Sequence, residues 1–275
     1  MKHSIMTLLT ATLVAAALAT PSFGKGDKDS NSKREKEVIN QVYEVGKNPR
    51  LSLSNLNGGA TITGWDKNTI EVTATKRGSS RERLDEATVK CEMKNDHLRI
   101  EVDYDFDDDD QIHYNDSTVE VEFEIRVPRG IEVDRVELIN GGIDISDLNG
   151  DVSASSVNGD VTGDRLAGEI HLSTVNGDVS LRTVVGDDSI ELSSVNGSVD
   201  ISLPRNVNAK VSASTVHGDV HGQLAKGVTH AGSSMDAVLG NGGMRIELST
   251  VNGDIRVRRD GSGGRGDDDS DNDSE

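Results

Sequence analysis

The sequence predicts an all-β protein: a β-solenoid-like stack of short strands with Asn-Gly corners, preceded by a β-sheet region with an alternating pattern. Two observations predict this fold. Between Val136 and Val257 a unit of the form apolar-x-apolar-x-x-apolar-Asn-Gly-Asp-apolar-x-apolar recurs at steps of roughly nine to twelve residues. Before it, apolar and polar residues alternate with the period of two that is typical of strands. An aromatic content of 3% also suits a thin core.

The first 24 residues have the pattern of a signal peptide. Lys2 is followed by an apolar run from Ile5 to Ala19, shorter than the roughly 20 residues that cross a bilayer. A small residue, Gly24, ends a favourable cleavage site. We therefore expect an exported protein with no transmembrane segment in the mature chain, located in the periplasm or outside the cell at its surface.

The rest of the chain divides by composition. Residues 25–37 are polar and predict a disordered linker, and residues 260–275 predict a disordered acidic tail. Between them we expect a single β-repeat domain over residues 38–259. It comprises a sheet region (38–135), in which Val119, Val121 and Phe123 alternate with glutamates, and the regular repeats (136–259).

The repeats place Asn-Gly, or a variant of it, at each predicted corner. His217 takes the place of Asn in one copy. Both Asn and Gly tolerate the backbone conformations that tight turns need. The predicted corner residues are Asn149, Gly150, Asn158, Gly159, Asn176, Gly177, Asn196, Gly197, Gly218, Asn252 and Gly253.

Two architectures fit these corners. Asn-Gly is a strong hairpin signal and would give an antiparallel meander. However, Ala154 and Val157 are three residues apart, as are Leu172 and Val175, and on one continuous strand such residues face opposite ways. A solenoid whose chain bends before Asn would turn both inward. We therefore favour the solenoid and expect the valine before each Asn to be buried.

The repeats resemble the bacterial "putative adhesin" family of β-strand-repeat proteins, also called toastrack-like. The Ser-Thr-Val-Asn-Gly-Asp-Val units, the Asn57-Gly58-Gly59-Ala60 turn and the Ile125–Pro128 strand carry this resemblance. It spans about Val38 to Arg259. The resemblance implies an envelope-associated domain of unknown function, with adhesion or envelope stress as the expected settings and no catalytic residues.

Charge and motifs exclude several functions. A net charge of −19 argues against binding nucleic acid, which needs clustered Lys and Arg. The single cysteine, Cys91, cannot form an internal disulfide, and the alternation around it predicts a small buried apolar residue. We find no nucleophile elbow, metalloprotease helix or phosphate-binding loop, and we expect neither catalytic nor cofactor-binding residues.

The aspartate after each Asn-Gly is the remaining polar feature. Stacked coils could align these carboxylates into a Ca²⁺ site, although the favoured alternative is that each bonds to the backbone of its own turn. The weak calcium candidates are Asp151, Asp160, Asp178, Asp219 and Asp254.

Together these observations predict a non-catalytic exported envelope protein, a scaffold for binding or adhesion whose partner is an unknown envelope protein or a glycan. Two alternatives stay open: a polysaccharide-active enzyme built on a β-helix, which would use paired acids, and a calcium-dependent binding module.

Overall fold

The computed structural model describes residues 34–105, 119–184, 188–225, 228–230 and 232–259. The predicted signal peptide, most of the predicted linker and the predicted acidic tail lie outside the described residues. No helix among the residues described is both long and apolar enough to cross a membrane.

The described chain consists of short strands and a single helical turn. In chain order the elements are β1 (Glu35–Glu44), β2 (Arg50–Asn57), β3 (Ala60–Trp65), β4 (Thr69–Gly78), α1 (Arg81–Asp85), β5 (Ala87–Lys94), β6 (His97–Tyr104), β7 (Glu120–Pro128), β8 (Glu132–Asn140), β9 (Ile143–Ser146), β10 (Val152–Asn158), β11 (Val161–Leu166), β12 (Ile170–Asn176), β13 (Val179–Thr183), β14 (Ile190–Asn196), β15 (Val199–Leu203), β16 (Ala209–His217), β17 (Val220–Ala225), β18 (Val228–His230), β19 (Ser234–Leu239), β20 (Met244–Asn252) and β21 (Ile255–Arg259).

The strands form two sheets, and each coil of the chain contributes one strand to each. Sheet A has the order β1-β4-β7-β3-β9-β11-β13-β15-β21-β17-β18, and sheet B has the order β19-β16-β20-β14-β12-β10-β8-β2-β6-β5. Successive coils pair in parallel, as in β10 with β12 and β11 with β13. The predicted solenoid-like stack is thereby confirmed, and the antiparallel meander is excluded.

The stack does not follow chain order at either end. The last coil, β20–β21, lies between the coils β14–β15 and β16–β17 and pairs in parallel with both. Likewise β2–β3 lies between β8–β9 on one side and the strands β6 and β7 on the other. At each end, therefore, one coil lies between strands that are distant from it in sequence.

Antiparallel strands close both ends of the stack. At one end β5 pairs with β6 in sheet B, and β4 and β1 extend sheet A. At the other end β19 pairs with β16, and β18 with β17. Strand β1 begins at Glu35, so residues 35–37 belong to the domain rather than to the predicted linker.

A narrow aliphatic core lies between the two sheets. Its inward positions alternate along each strand, as Val152, Ala154 and Ser156 do on β10. Small residues occupy several of these positions. A Cβ atom on Gly163 would lie only 2.7 Å from a Leu181 methyl carbon, so this glycine makes room for larger neighbours. The predicted thin core is therefore present.

The predicted burial of the valine before each Asn is wrong. Val157 is 38% exposed, and Val175, Val195 and Val251 are each 40% exposed. The strands run straight to the corner, so Ala154 faces the core and Val157 faces solvent, as the period of two requires. Ser156, directly before Val157, takes the inward position instead.

Candidate functional site

The edge at which each sheet B strand passes into sheet A carries a ladder of asparagines; we call it the amide edge. Each side-chain amide donates to the side-chain oxygen of the Asn on the preceding layer, at 2.8 to 2.9 Å. His217 occupies the last layer, beside Asn252. The ladder comprises Asn57, Asn140, Asn158, Asn176, Asn196 and Asn252.

Glycines let the layers approach closely at the same edge. A Cβ atom on Gly177 would lie 2.4 Å from the carbonyl oxygen of Gly159, and the corresponding distance from Gly197 to the Gly177 oxygen is 1.9 Å. Buried hydroxyls complete the contact. Thr174 donates through Oγ1 to the Gly159 carbonyl oxygen at 2.8 Å, and Ser194 donates to that of Gly177 at 2.9 Å.

Four of the calcium candidates lie on the amide edge, and the carboxylates of three of them, Asp160, Asp178 and Asp254, accept backbone hydrogen bonds between layers. The Asp178 N–H donates to Asp160 Oδ1 at 2.8 Å, and the Asp219 N–H donates to Asp254 Oδ1 at 3.1 Å. The acceptor therefore serves the neighbouring coil rather than its own turn. Among the residues described, no three His, Cys, Asp or Glu side chains are grouped to hold a metal ion.

The opposite edge is built differently, and we call it the ionic edge. Arg165 donates from Nη2 to Asp147 Oδ2 at 2.6 Å, and Arg182 Nε donates to Asp164 Oδ1 at 2.6 Å. Arg165 also pairs with Asp164, so the side chains form a zigzag across successive coils. Arg129 continues it, at 3.3 Å from Asp147.

The remaining predicted corner, with the fifth calcium candidate, also lies on the ionic edge. The Asn149 N–H donates to the Arg129 carbonyl oxygen at 2.7 Å, and a Cβ atom on Gly150 would lie 2.1 Å from the Ile131 oxygen. Asp151 Oδ1 accepts from the Glu169 N–H at 2.9 Å. The structure therefore separates Asp151 from the other four candidate aspartates.

The ion pairs shift the acidity of this edge. The hydrogen bond from Arg165, with its charge and that of Arg129, lowers the pKa of Asp147 from 3.8 to about 2. Arg182 likewise lowers the pKa of Asp164. At the end of the stack, burial raises the pKa of the Cys91 thiol, which lies in hydrogen-bonding contact with Tyr43. Such a thiol is a poor nucleophile at neutral pH.

The outer face of sheet B carries two parallel columns of side chains that the sequence reasoning missed. The registers of the strands align the residue before each Asn across seven neighbouring strands. This aliphatic column consists of Leu56, Ile139, Val157, Val175, Val195, Val251 and Val216. Two positions earlier on each strand lies the serine column, which consists of Ser54, Glu137, Ser155, Ser173, Ser193, Ser249 and Ser214.

These columns form a flat, nearly uncharged strip. In a chain with 28% charged residues, Glu137 is the only charged side chain in either column. With about 4.8 Å for each of the seven strands and about 6.8 Å for each of the two columns, the strip measures about 34 by 14 Å. The two columns line an open groove of about 640 Å³, which reaches Val102 at one end and Val195 at the other.

Sequence spacing could have revealed part of this arrangement. Arg165 follows Asp147 by 18 residues, and Arg182 follows Asp164 by 18 residues, which is one full coil. Steps of nine in the repeat therefore alternate between the two edges. The aliphatic column follows from the plain alternation of side chains along a straight strand, whereas the sequence predicted a bend before each Asn.

A family model described as Toastrack DUF4097 matches residues 28–258. No curated protein matches the chain significantly. Among solved structures, a "putative cell adhesion protein" from Clostridium sporogenes is 14% identical, with a TM-score of 0.49, covering 82% of this chain and all of its own.

Two further solved structures are more distant in shape. A "putative adhesin" from Bacteroides fragilis is 14% identical, with a TM-score of 0.29, covering 80% of this chain and 97% of its own. A "putative lipid binding protein" from Parabacteroides distasonis is 10% identical, with a TM-score of 0.31, covering 80% of this chain and 96% of its own.

Proposed function

The chain belongs to the Toastrack DUF4097 family, and we propose that it is a non-catalytic, exported envelope protein that binds a partner through the outer face of sheet B. The observation that carries this proposal is the aliphatic column. Val175 and Val195, at its centre, are each 40% exposed beside hydroxyl groups. The binding function needs neither a metal nor a cofactor.

The dimensions of the strip favour a narrow, elongated partner. Its area is about 470 Å² from the dimensions given above, somewhat more than half of what each side of a standard protein interface buries. A polysaccharide chain, or one extended segment of an envelope protein, matches a strip of this shape. Serine hydroxyls would bond to polar groups of the partner while the aliphatic column covers its apolar side.

The rigid stack explains why the strip keeps its shape. The five inner strands that contribute to it are paired on both sides. In the two outer ones, β2 is paired with β6 only as far as Ser54, and β16 with β19 only as far as Ser214. Because the backbone spacing fixes the distance between side chains, no reorganisation is needed when a partner binds. A binding scaffold of this kind fits the export to the periplasm or cell surface that the signal-like N-terminus predicts.

The test is binding of polysaccharide purified from the native envelope, and separately of immobilised envelope proteins, to the purified protein. We expect the double variant Val175→Ser/Val195→Ser to weaken binding about tenfold or more, since each valine loses about 1 kcal/mol of apolar contact. Val238→Ser is the matched control, because Val238 is 67% exposed but lies outside both columns.

Two outcomes would contradict the proposal. One is that neither preparation binds, or that the double variant binds as well as the unmodified protein. The other is the release of soluble sugars from the polysaccharide, which would show catalysis. A loss of binding in Val238→Ser of the same size would move the site away from the aliphatic column.

A further inference from the structure

One long strand at the end of the stack has an unpaired edge within the described part of the chain. Strand β1 has ten residues and pairs with β4 alone, at the margin of sheet A. On its outward face Val38 is 45% exposed and Val42 is 64% exposed. A long edge strand that exposes apolar side chains is a template for pairing with another strand.

The residues on the outward face of β1 are complementary to a second, antiparallel copy of the same strand. From one end to the other its residues are Lys36, Val38, Asn40, Val42 and Glu44. If a second copy runs antiparallel with Asn40 opposite its own equivalent, Lys36 faces Glu44 and Val38 faces Val42. On this outward face every cross-strand pair is then of opposite charge, apolar or amide with amide, and such pairs stabilise sheets.

Neighbouring registers lack this match. Moving the centre to Ile39 places Lys36 opposite Val42 and Val38 opposite Asn40. Moving it to Gln41 places Val38 opposite Glu44 and Asn40 opposite Val42. Both shifts set polar or charged groups against valines, so a single register is favoured.

Sheet B ends one strand earlier than sheet A: beyond the coil β2–β3 it has two further strands, β6 and β5, whereas sheet A has three, β7, β4 and β1. Strand β5 pairs with β6 alone among the described strands, and its Cys91 lies against Tyr43 of β1. On the outward face of β5, Lys90 and Glu92 flank Cys91. In a dimer joined through β1, the β5 edges of the two copies therefore stay apart.

We propose that two copies of this protein join end to end through β1, with Asn40 of one copy opposite Asn40 of the other. Sheet A then continues from one molecule into the next. The partner is a second copy because complementarity lies within one strand: its two halves match each other. The dimer places two binding strips in one elongated body.

Disulfide trapping tests the register. In a Cys91→Ser background, Asn40→Cys would place two thiols on directly opposed residues, with Cα atoms about 4.5 to 5.5 Å apart. Val42→Cys in the same background is the control, because its two thiols would be four residues out of register, about 14 Å apart. We expect mild oxidation to yield a covalent dimer for Asn40→Cys only.

Charge reversal tests the interface in solution by sedimentation. Lys36→Glu would face Glu44 of the second copy and should raise the dimer dissociation constant about tenfold, since two such pairs are lost. Adding Glu44→Lys should restore it. Within one molecule these residues are eight positions apart on a strand, about 27 Å, so an intramolecular rescue is excluded.

A protein that stays monomeric at every concentration measured would overturn the proposal. So would equal trapping of Asn40→Cys and Val42→Cys, or a charge swap that fails to restore the association weakened by Lys36→Glu. Lys36, Asn40, Val42 and Glu44 lie on the outward face, so their substitution leaves the core unchanged. Cys91 packs against the core, so Cys91→Ser alone is the reference for the trapping variants, and circular dichroism of each variant checks its fold. None of them belongs to the strip on sheet B, so binding of envelope material is tested separately.

Discussion

The amide edge and the ionic edge join the same two sheets by different physical means. At the amide edge two residues always separate the strands, as Gly177 and Asp178 do between β12 and β13. At the ionic edge the connections 167–169, 184–189 and 204–208 contain three, six and five residues. Backbone-to-backbone packing at the amide edge leaves no room for connections of different length, whereas the long charged side chains of the ionic edge reach across gaps of different size.

This contrast assigns a different task to each edge. The glycines and buried hydroxyls of the amide edge set the vertical register of the coils, because each layer touches the carbonyl oxygen of the next. The ionic edge accommodates insertions while keeping Asp147, Arg165 and Arg182 paired across layers. The aliphatic column lies next to the amide edge, so its alignment depends on the edge that allows less variation in the spacing of the coils.

The largest expected effect is a methyl group added at the amide edge. Gly177→Ala would place a Cβ atom 2.4 Å from the Gly159 oxygen, and we expect it to lower the free energy of unfolding by about 3 kcal/mol or more. Chemical denaturation measures this. Gly130→Ala is the control, since no atom lies within 4 Å of the added carbon. Equal stability of the two variants would contradict a close-packed edge.

A smaller effect is expected from a buried hydroxyl. Thr174→Val keeps the shape of the side chain but removes the donor to the Gly159 oxygen, which should cost about 1 to 3 kcal/mol of unfolding free energy. Ser173→Ala, on the adjacent outward position, should change it by less than about 0.5 kcal/mol. The same denaturation experiment compares them, and a neutral Thr174→Val would show that the hydroxyl does not hold the layers.

The smallest effect belongs to the ionic edge and depends on pH. Because the folded protein lowers the pKa of Asp147 from 3.8 to about 2, its ion pairs stabilise the fold above about pH 4. That contribution is lost as the pH falls from about 4 to about 2. Asp147→Asn should therefore reduce the unfolding free energy at pH 6 but not at pH 2. A difference that does not change with pH would contradict this assignment.

The fold class could be predicted from the sequence because it rests on residue types that recur. Asn176-Gly177 and its equivalents mark one edge, and steps of nine residues reveal that a second edge alternates with it. The burial that the bent corner predicted for the valine before each Asn is nevertheless wrong. Val175 lies outward on a straight strand, and the inward position that it seemed to require belongs to Thr174. Nothing in the sequence marks Thr174 as buried, since it is a small polar residue next to the outward Ser173.

The candidate site could not be predicted from the spacing of the repeats alone. Val216 and Val251 are neighbours in the aliphatic column although 35 residues separate them, because the last coil enters the stack between two earlier ones. Nothing in the repeat unit of Met244–Asn252 distinguishes insertion from simple addition at the end. The partners of the aspartates were also unpredictable, since Asp160 bonds to a backbone group one coil away.

The insertion of β20–β21 has a consequence for how the molecule is made. Until residues 244–259 have left the ribosome, β14 and β16 have no strand between them, and two parallel edges stay open. Removal of the C-terminal coil would therefore not shorten the protein by one layer: it would cut the stack in two. Residues 244–259 therefore hold the two parts of the stack together. A product truncated before them would expose unpaired strand edges to proteases.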